Sequence, residues 1–162
     1  MSYPFGDSQI VPSALLKQYD KAMQEGDARD PHKLFPFLRK NGKLIIFHGY
    51  ADTSISPFGS IAFYSDLLTV GKEASVAPQK NVALFMVPGM GHCSGGTTPT
   101  EFDSLSALQD WTEHDAYPRQ ITAVNEDAPE FSMPICPYPV TAKLKGQFPR
   151  RASDWTCEST PH

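Results

Sequence analysis

Two apolar runs set the limits on what this chain can fold into. Lys43 to His48 reads Lys-Leu-Ile-Ile-Phe-His, and Asn81 to Val87 reads Asn-Val-Ala-Leu-Phe-Met-Val; the first is bounded by glycines and the second stops at Pro88-Gly89. A strand that is apolar at every position must be covered on both faces, which is the condition of a parallel sheet packed between helices. Between the runs, Ile61, Ala62, Tyr64, Leu67 and Leu68 recur at helical spacing over residues 58–70. After the second run, Leu105, Leu108 and Trp111 mark one face of a helix over residues 102–115. The order strand, loop, helix, strand, loop, helix predicts βαβ units on a parallel sheet, an α/β fold.

The flanks are less regular. Ser13 to Gly26 has helical spacing, with Ser13 as N-cap and Gly26 as the stop. Asp30-Pro31 opens a short helical piece through Leu38, and Gln120 to Val124 suits a short strand. Residues 126–162 are expected to be mostly irregular, with prolines at 129, 134, 137 and 139. The chain thus divides into an N-terminal irregular segment and helix (1–29), a partial α/β domain (30–125) and a Pro-rich C-terminal segment (126–162).

Charge and composition narrow the function classes. With 14 basic and 18 acidic side chains, a net charge of -4 and a pI near 5.7, neither nucleic acid nor an anionic membrane is expected as the main partner. No apolar run approaches the roughly 18 residues that cross a bilayer. The opening Met-Ser-Tyr-Pro-Phe-Gly-Asp lacks the basic start and apolar stretch of a signal peptide. Three cysteines, Cys93, Cys136 and Cys157, form no CxxC and no Cys/His spacing for zinc, so neither a metal nor a cofactor is expected. They are either three unrelated thiols or, in an oxidising compartment, a Cys136–Cys157 staple on the Pro-rich segment with Cys93 left over.

In open α/β sheets chemistry sits at the C-terminal ends of the strands. The first run leads into Gly49-Tyr-Ala-Asp-Thr-Ser-Ile-Ser-Pro57, the second into Gly89-Met-Gly-His-Cys-Ser-Gly-Gly96, and both loops come out on one sheet edge. Asp52 followed by His92 is the second half of a Ser…Asp…His chain order, in which the acid fixes the imidazole tautomer and the histidine activates a serine. Spacing alone leaves the blander readings open: a turn-forming Asp and a solvated His.

The residues themselves add a resemblance. Gly42-Lys-Leu-Ile-Ile-Phe-His-Gly-Tyr-Ala-Asp-Thr-Ser-Ile-Ser-Pro57 resembles the acid-bearing segment of the tannase and feruloyl esterase family, and Phe85-Met-Val-Pro-Gly-Met-Gly-His-Cys-Ser-Gly-Gly96 resembles its His-Cys segment. Phe102-Asp-Ser-Leu-Ser-Ala-Leu-Gln-Asp-Trp111 and the Cys-Pro-Tyr-Pro at 136–139 follow in order, so the likeness covers roughly residues 30–157. It implies an α/β-hydrolase fold, hydrolysis of esters of phenolic or aromatic acids, and a secreted or periplasmic setting. It also implies that Asp52 and His92 are triad members and that His48 lies near the substrate pocket wall. Cys93 would pair with a cysteine beside the nucleophilic serine, and Cys136 with Cys157.

The sequence departs from the family pattern at the nucleophile. No Gly-x-Ser-x-Gly elbow occurs; Gly59-Ser60-Ile61-Ala62 is the nearest, and it opens a helix. The chain therefore resembles the C-terminal third of such a hydrolase, with the serine, the oxyanion donors and the lid to be supplied by a missing N-terminal part. Two alternatives stand beside that expectation. One recruits a local serine, Ser54, Ser56 or Ser94. The other is a non-catalytic module that dimerises across an open strand edge.

Overall fold

The computed structural model describes residues 17–18, 30–146 and 149–159. Residues 17 and 18 are helical; the rest of the helix expected over 13–26 lies outside the described residues. Asp30 caps a 3-10 turn at Pro31–Leu34 by accepting the His32 N–H at 3.0 Å, and the turn runs into α1, Phe35–Arg39. Strand β1, Leu44–Gly49, pairs parallel with β2, Val82–Val87, from Leu44 opposite Val82 to Gly49 opposite Val87. Helix α2, Pro57–Glu73, makes the crossover. The expected parallel unit is therefore present, as a small two-stranded sheet.

Strand β2 is the centre of the core, and its side chains divide by parity. Val82, Leu84 and Met86 meet Phe35, Leu38, Tyr64 and Leu67 on the α1–α2 face. Ala83, Phe85 and Val87 meet Met90, Trp111, Ile121 and Ile135 on the other. All six β2 residues are buried, as the uninterrupted apolar run requires. Each fully buried Leu or Phe contributes roughly 1.5–3 kcal/mol.

Helix α3, Ser104–His114, starts at Asp103, whose carboxylate accepts the Ser106 N–H at 2.8 Å and the Ser106 hydroxyl at 2.6 Å. Trp111 anchors it, edge-on to Tyr117 at 5.1 Å, and the Lys43 ammonium lies 5.4 Å from the indole centroid. Lys43 is nearly buried and donates to Asn41 and Asp115 at 3.2 and 3.1 Å, so its charge is paired.

The C-terminal part, expected to be mostly irregular, also contributes three short strands. β5 (Ser132–Ile135) completes an antiparallel sheet with β3 (Glu101–Phe102) and β4 (Ile121–Val124), and β6 (Thr141–Leu144) pairs antiparallel with β7 (Trp155–Glu158). Strand β5 is at its sheet's edge, where Pro134 can lack an N–H without breaking a central ladder. The segment after β5 runs along β2: Phe85 bridges to Pro137, and the Tyr138 N–H donates to the Leu84 carbonyl at 2.7 Å. Cys136 and Cys157 are disulfide-bonded across 21 residues, with Cα atoms 5.7 Å apart. Closing a loop of that length restricts the unfolded chain by about 3 kcal/mol. Among the described residues no helix is long and apolar enough to cross a membrane.

Candidate active site

The loops after β1 and β2 are laced together by backbone. The Tyr50 N–H donates to the Val87 carbonyl at 2.9 Å, and the Ala51 N–H to the Met90 carbonyl at 3.0 Å. This approach is possible because residue 49 is glycine: a Cβ there would collide with the Met90 carbonyl oxygen. The histidine loop closes on itself through the Gly91 N–H to the Gly95 carbonyl at 2.9 Å and a bridge between Met90 and Gly96.

That lacing brings together the two residues the sequence singles out. His92 Nδ1 lies 2.9 Å from Asp52 Oδ2. The other carboxylate oxygen, Oδ1, accepts the Ser54 and Ile55 N–H groups at 2.8 and 2.9 Å. Asp52 is deeply placed, its side chain 3% exposed, whereas the His92 side chain is 48% exposed. The Ile55 N–H and the His92 ring hold the Asp52 carboxyl well below the usual carboxylate range; burial opposes them and loses. Asp52 is thus an anion across the ordinary pH range, and it keeps a proton on His92 Nδ1. Nε2 then carries the free lone pair on a half-exposed side chain, an arrangement that can serve as a general base.

His48, expected near a pocket wall, points into the same cluster. Its Nε2 lies 3.2 Å from Asp52 Oδ2 and 3.2 Å from the Ile55 carbonyl, and its Nδ1 lies 2.7 Å from the Ser60 hydroxyl. Ser60 is the member of the cluster that the sequence reading missed. It sits twelve residues from His48, in the first turn of α2, and no local pattern announces the contact. Ser54, Ser56 and Ser94 make no hydrogen bond to His92 among the described residues; Ser54 instead serves Asp52 through its backbone. Cys93 follows His92 in the left-handed conformation (φ 65°), exposed and without a disulfide partner among the described residues.

An apolar cavity of about 520 Å³ shares residues with the two loops but is lined by none of the cluster's side chains. Tyr50 and Pro88, from the same two loops, form part of its wall, with Met86, Phe131, Tyr138 and Trp155. No group of three or more His, Cys, Asp or Glu side chains among the described residues is arranged to hold a metal ion.

A parallel βαβ unit that presents an acid after its first strand and a histidine after its second has the layout of an α/β-hydrolase. The chain belongs to the tannase and feruloyl esterase family, whose sequence model matches residues 12–158. It is 30% identical over 151 residues to mono(2-hydroxyethyl) terephthalate hydrolase of Piscinibacter sakaiensis, covering 90% of this chain and 24% of that protein. It is 31% identical over 162 residues to a probable feruloyl esterase of Arthroderma benhamiae, covering 94% of this chain and 30% of the relative. Among solved structures, an esterase from Aspergillus oryzae superposes with a TM-score of 0.69 at 26% identity, over 90% of this chain and 32% of that one. The chain spans 24% to 32% of the length of these proteins.

Proposed function

We propose that this chain carries the acid and the base of a serine-dependent carboxylic ester hydrolase acting on esters of phenolic or aromatic acids. The observation that carries the reading is the short contact from Asp52 Oδ2 to His92 Nδ1, on a His92 side chain that is half exposed. The names of the relatives, a terephthalate monoester hydrolase and feruloyl esterases, support the substrate class.

In this reading a serine Oγ attacks the ester carbonyl while His92 Nε2 takes its proton. The imidazolium is stabilised by Asp52, and the proton passes to the departing alkoxide as the acyl C–O bond breaks. Water then repeats the sequence on the acyl-enzyme and releases the aromatic acid. The serine and the oxyanion donors come from an N-terminal hydrolase part that docks against the open side of β1. Cys93 pairs with a cysteine beside that serine, tying the histidine loop to the nucleophile. The Cys136–Cys157 bond supports a secreted or periplasmic setting for the assembly.

The test is fluorophosphonate labelling, read by intact mass and peptide mapping. We expect no adduct on the folded chain alone. With a nucleophile-bearing N-terminal part of a relative supplied in trans, we expect one adduct on that part's serine and hydrolysis of ethyl ferulate. His92→Ala should abolish both. Hydrolysis that survives His92→Ala would overturn the assignment, and a stoichiometric adduct on a serine of the chain alone would place the nucleophile here.

A further inference from the structure

The second imidazole on Asp52 is not explained by an acid–base pair. His48 is 13% exposed in its side chain, and both of its ring nitrogens are engaged by protein. Its protonation pattern follows from its partners. Nε2 faces a carboxylate oxygen and a carbonyl oxygen, neither of which can donate, so Nε2 bears the hydrogen. In the neutral ring Nδ1 is then an acceptor, and the Ser60 hydroxyl donates to it. Asp52 Oδ2 consequently receives two N–H groups, from His48 and from His92, while Oδ1 receives two from the backbone.

Four donors fix a torsion that is otherwise soft. The terminal rotation of an aspartate is broad and nearly two-fold, so a carboxylate with few donors can swing away from its histidine. The two backbone donors hold Oδ1; the direction of Oδ2 depends on what meets it. His92 cannot serve as that anchor, because it stands half exposed on a glycine-rich loop and is itself the group to be oriented. His48 can, because it is held at the end of β1 and pinned from behind by Ser60 on α2.

We propose that His48 is a positioning residue for His92: through the chain Ser60 to His48 to Asp52 it aims Oδ2 at His92 Nδ1 and so keeps His92 in its Nδ1–H tautomer. This rests on the reading of His92 as the general base. It differs from a role at the substrate, since neither nitrogen of His48 is left to touch one.

The test uses the chain as it exists, labelled with 15N-histidine and read by long-range 1H–15N correlation at a pH where the rings are neutral. In the wild type, His48 is expected as Nε2–H and His92 as Nδ1–H, the tautomer that an unconstrained imidazole disfavours. His48→Gln places an amide N–H near the position of Nε2 and should preserve the His92 pattern. His48→Leu should release His92 toward the unconstrained mixture. Ser60→Ala, which removes only the rear anchor, should leave His48 as Nε2–H between its two acceptors but free its ring to tilt, and so weaken the His92 preference in part; it carries the test if the leucine variant does not fold.

An undiminished Nδ1–H preference in folded His48→Leu, or in Ser60→Ala should the leucine variant not fold, would overturn the proposal while leaving the Asp52–His92 pair intact. A wild-type His92 without that preference would instead overturn the general-base reading itself. In a hydrolytically competent assembly, His48→Leu should lower kcat by about ten- to a hundredfold with KM nearly unchanged, and His48→Gln should recover most of the loss. Equal loss in both variants would also count against positioning.

Discussion

The acid loop and the histidine loop solve the same problem in opposite ways. Between residues 50 and 57 no described residue has a positive φ, and Asp52 is held by hydrogen bonds: its carboxylate takes the Ser54 and Ile55 N–H groups and two imidazoles. In the histidine loop Gly89, Cys93, Gly95 and Gly96 all have positive φ, and His92 is held by the path of its backbone. The side chain that must stay fixed is locked by donors and buried. His92, which in the proposed reading exchanges a proton, is left half exposed on a loop whose shape does the positioning. The His92 ring thus takes its orientation from Asp52, which is why damage to the two loops should look different.

Asp52→Asn is the sharpest break. The asparagine Oδ1 can still accept the two backbone N–H groups, so the loop keeps its shape. Its amide nitrogen, however, now faces two ring nitrogens that had been donating, and His92 must turn over to the wrong tautomer. In a reconstituted hydrolase kcat should fall by about 10⁴-fold, with the far-UV spectrum and unfolding midpoint near those of the wild type. A loss of only a few fold would mean that Asp52 serves the loop and not the base.

Backbone damage in the histidine loop should come next. Gly96 has φ 143°, and a Cβ there would strike the Gly89 carbonyl oxygen. Gly96→Ala should cost about 1–3 kcal/mol in urea unfolding, because an unusual backbone conformation and a collision arise together. Gly91 is the control in the same loop: its φ is ordinary, and the nearest atom to an added Cβ is the Ser94 carbonyl oxygen at 3.4 Å. Gly91→Ala should stay within about 0.5 kcal/mol. Equal costs at the two positions would remove the argument that backbone conformation holds His92.

How much of this could be read in the sequence depends on how local each cause is. The apolar runs that become β1 and β2 declare their burial residue by residue, and the spacing of Leu67, Trp111 and their neighbours declares α2 and α3. Asp52 and His92 were legible for a related reason: each lies in a turn directly after a strand, so topology alone puts both on one edge. The C-terminal strands were not legible. Their stability comes from partners far along the chain, such as the Ser132 N–H to the Arg150 carbonyl, the Ala152 N–H to the Ser132 hydroxyl, and the Cys136–Cys157 bond. Prolines at 134, 137 and 139 suggested disorder of pattern, yet Pro134 sits on an edge strand that tolerates it. The His48–Ser60 contact was hidden for the same reason, since it joins a strand end to a helix start across the acid loop.

The smallest expected effect separates the structural part of the Asp52 device from its chemical part. Asp103 repeats the device without an imidazole: its carboxylate accepts the Ser106 N–H and hydroxyl at the start of α3. The Ser106 hydroxyl and then its N–H lower the Asp103 carboxyl below the ordinary range, as the Ile55 N–H and His92 do for Asp52. A carboxyl with a folded value below its unfolded one, near 3.9, contributes stability that is complete above about pH 4 and is lost as pH falls through the folded value. Asp103→Ala should therefore lower Tm by a few degrees at pH 7, and the gap to wild type should narrow as the pH is taken below about 4. Its effect on the His92 tautomer should be nil, because α3 begins on a different loop. A gap that stays constant into acid would show that the carboxylate charge is not what caps the helix, and the same reasoning would then weaken for the backbone half of Asp52.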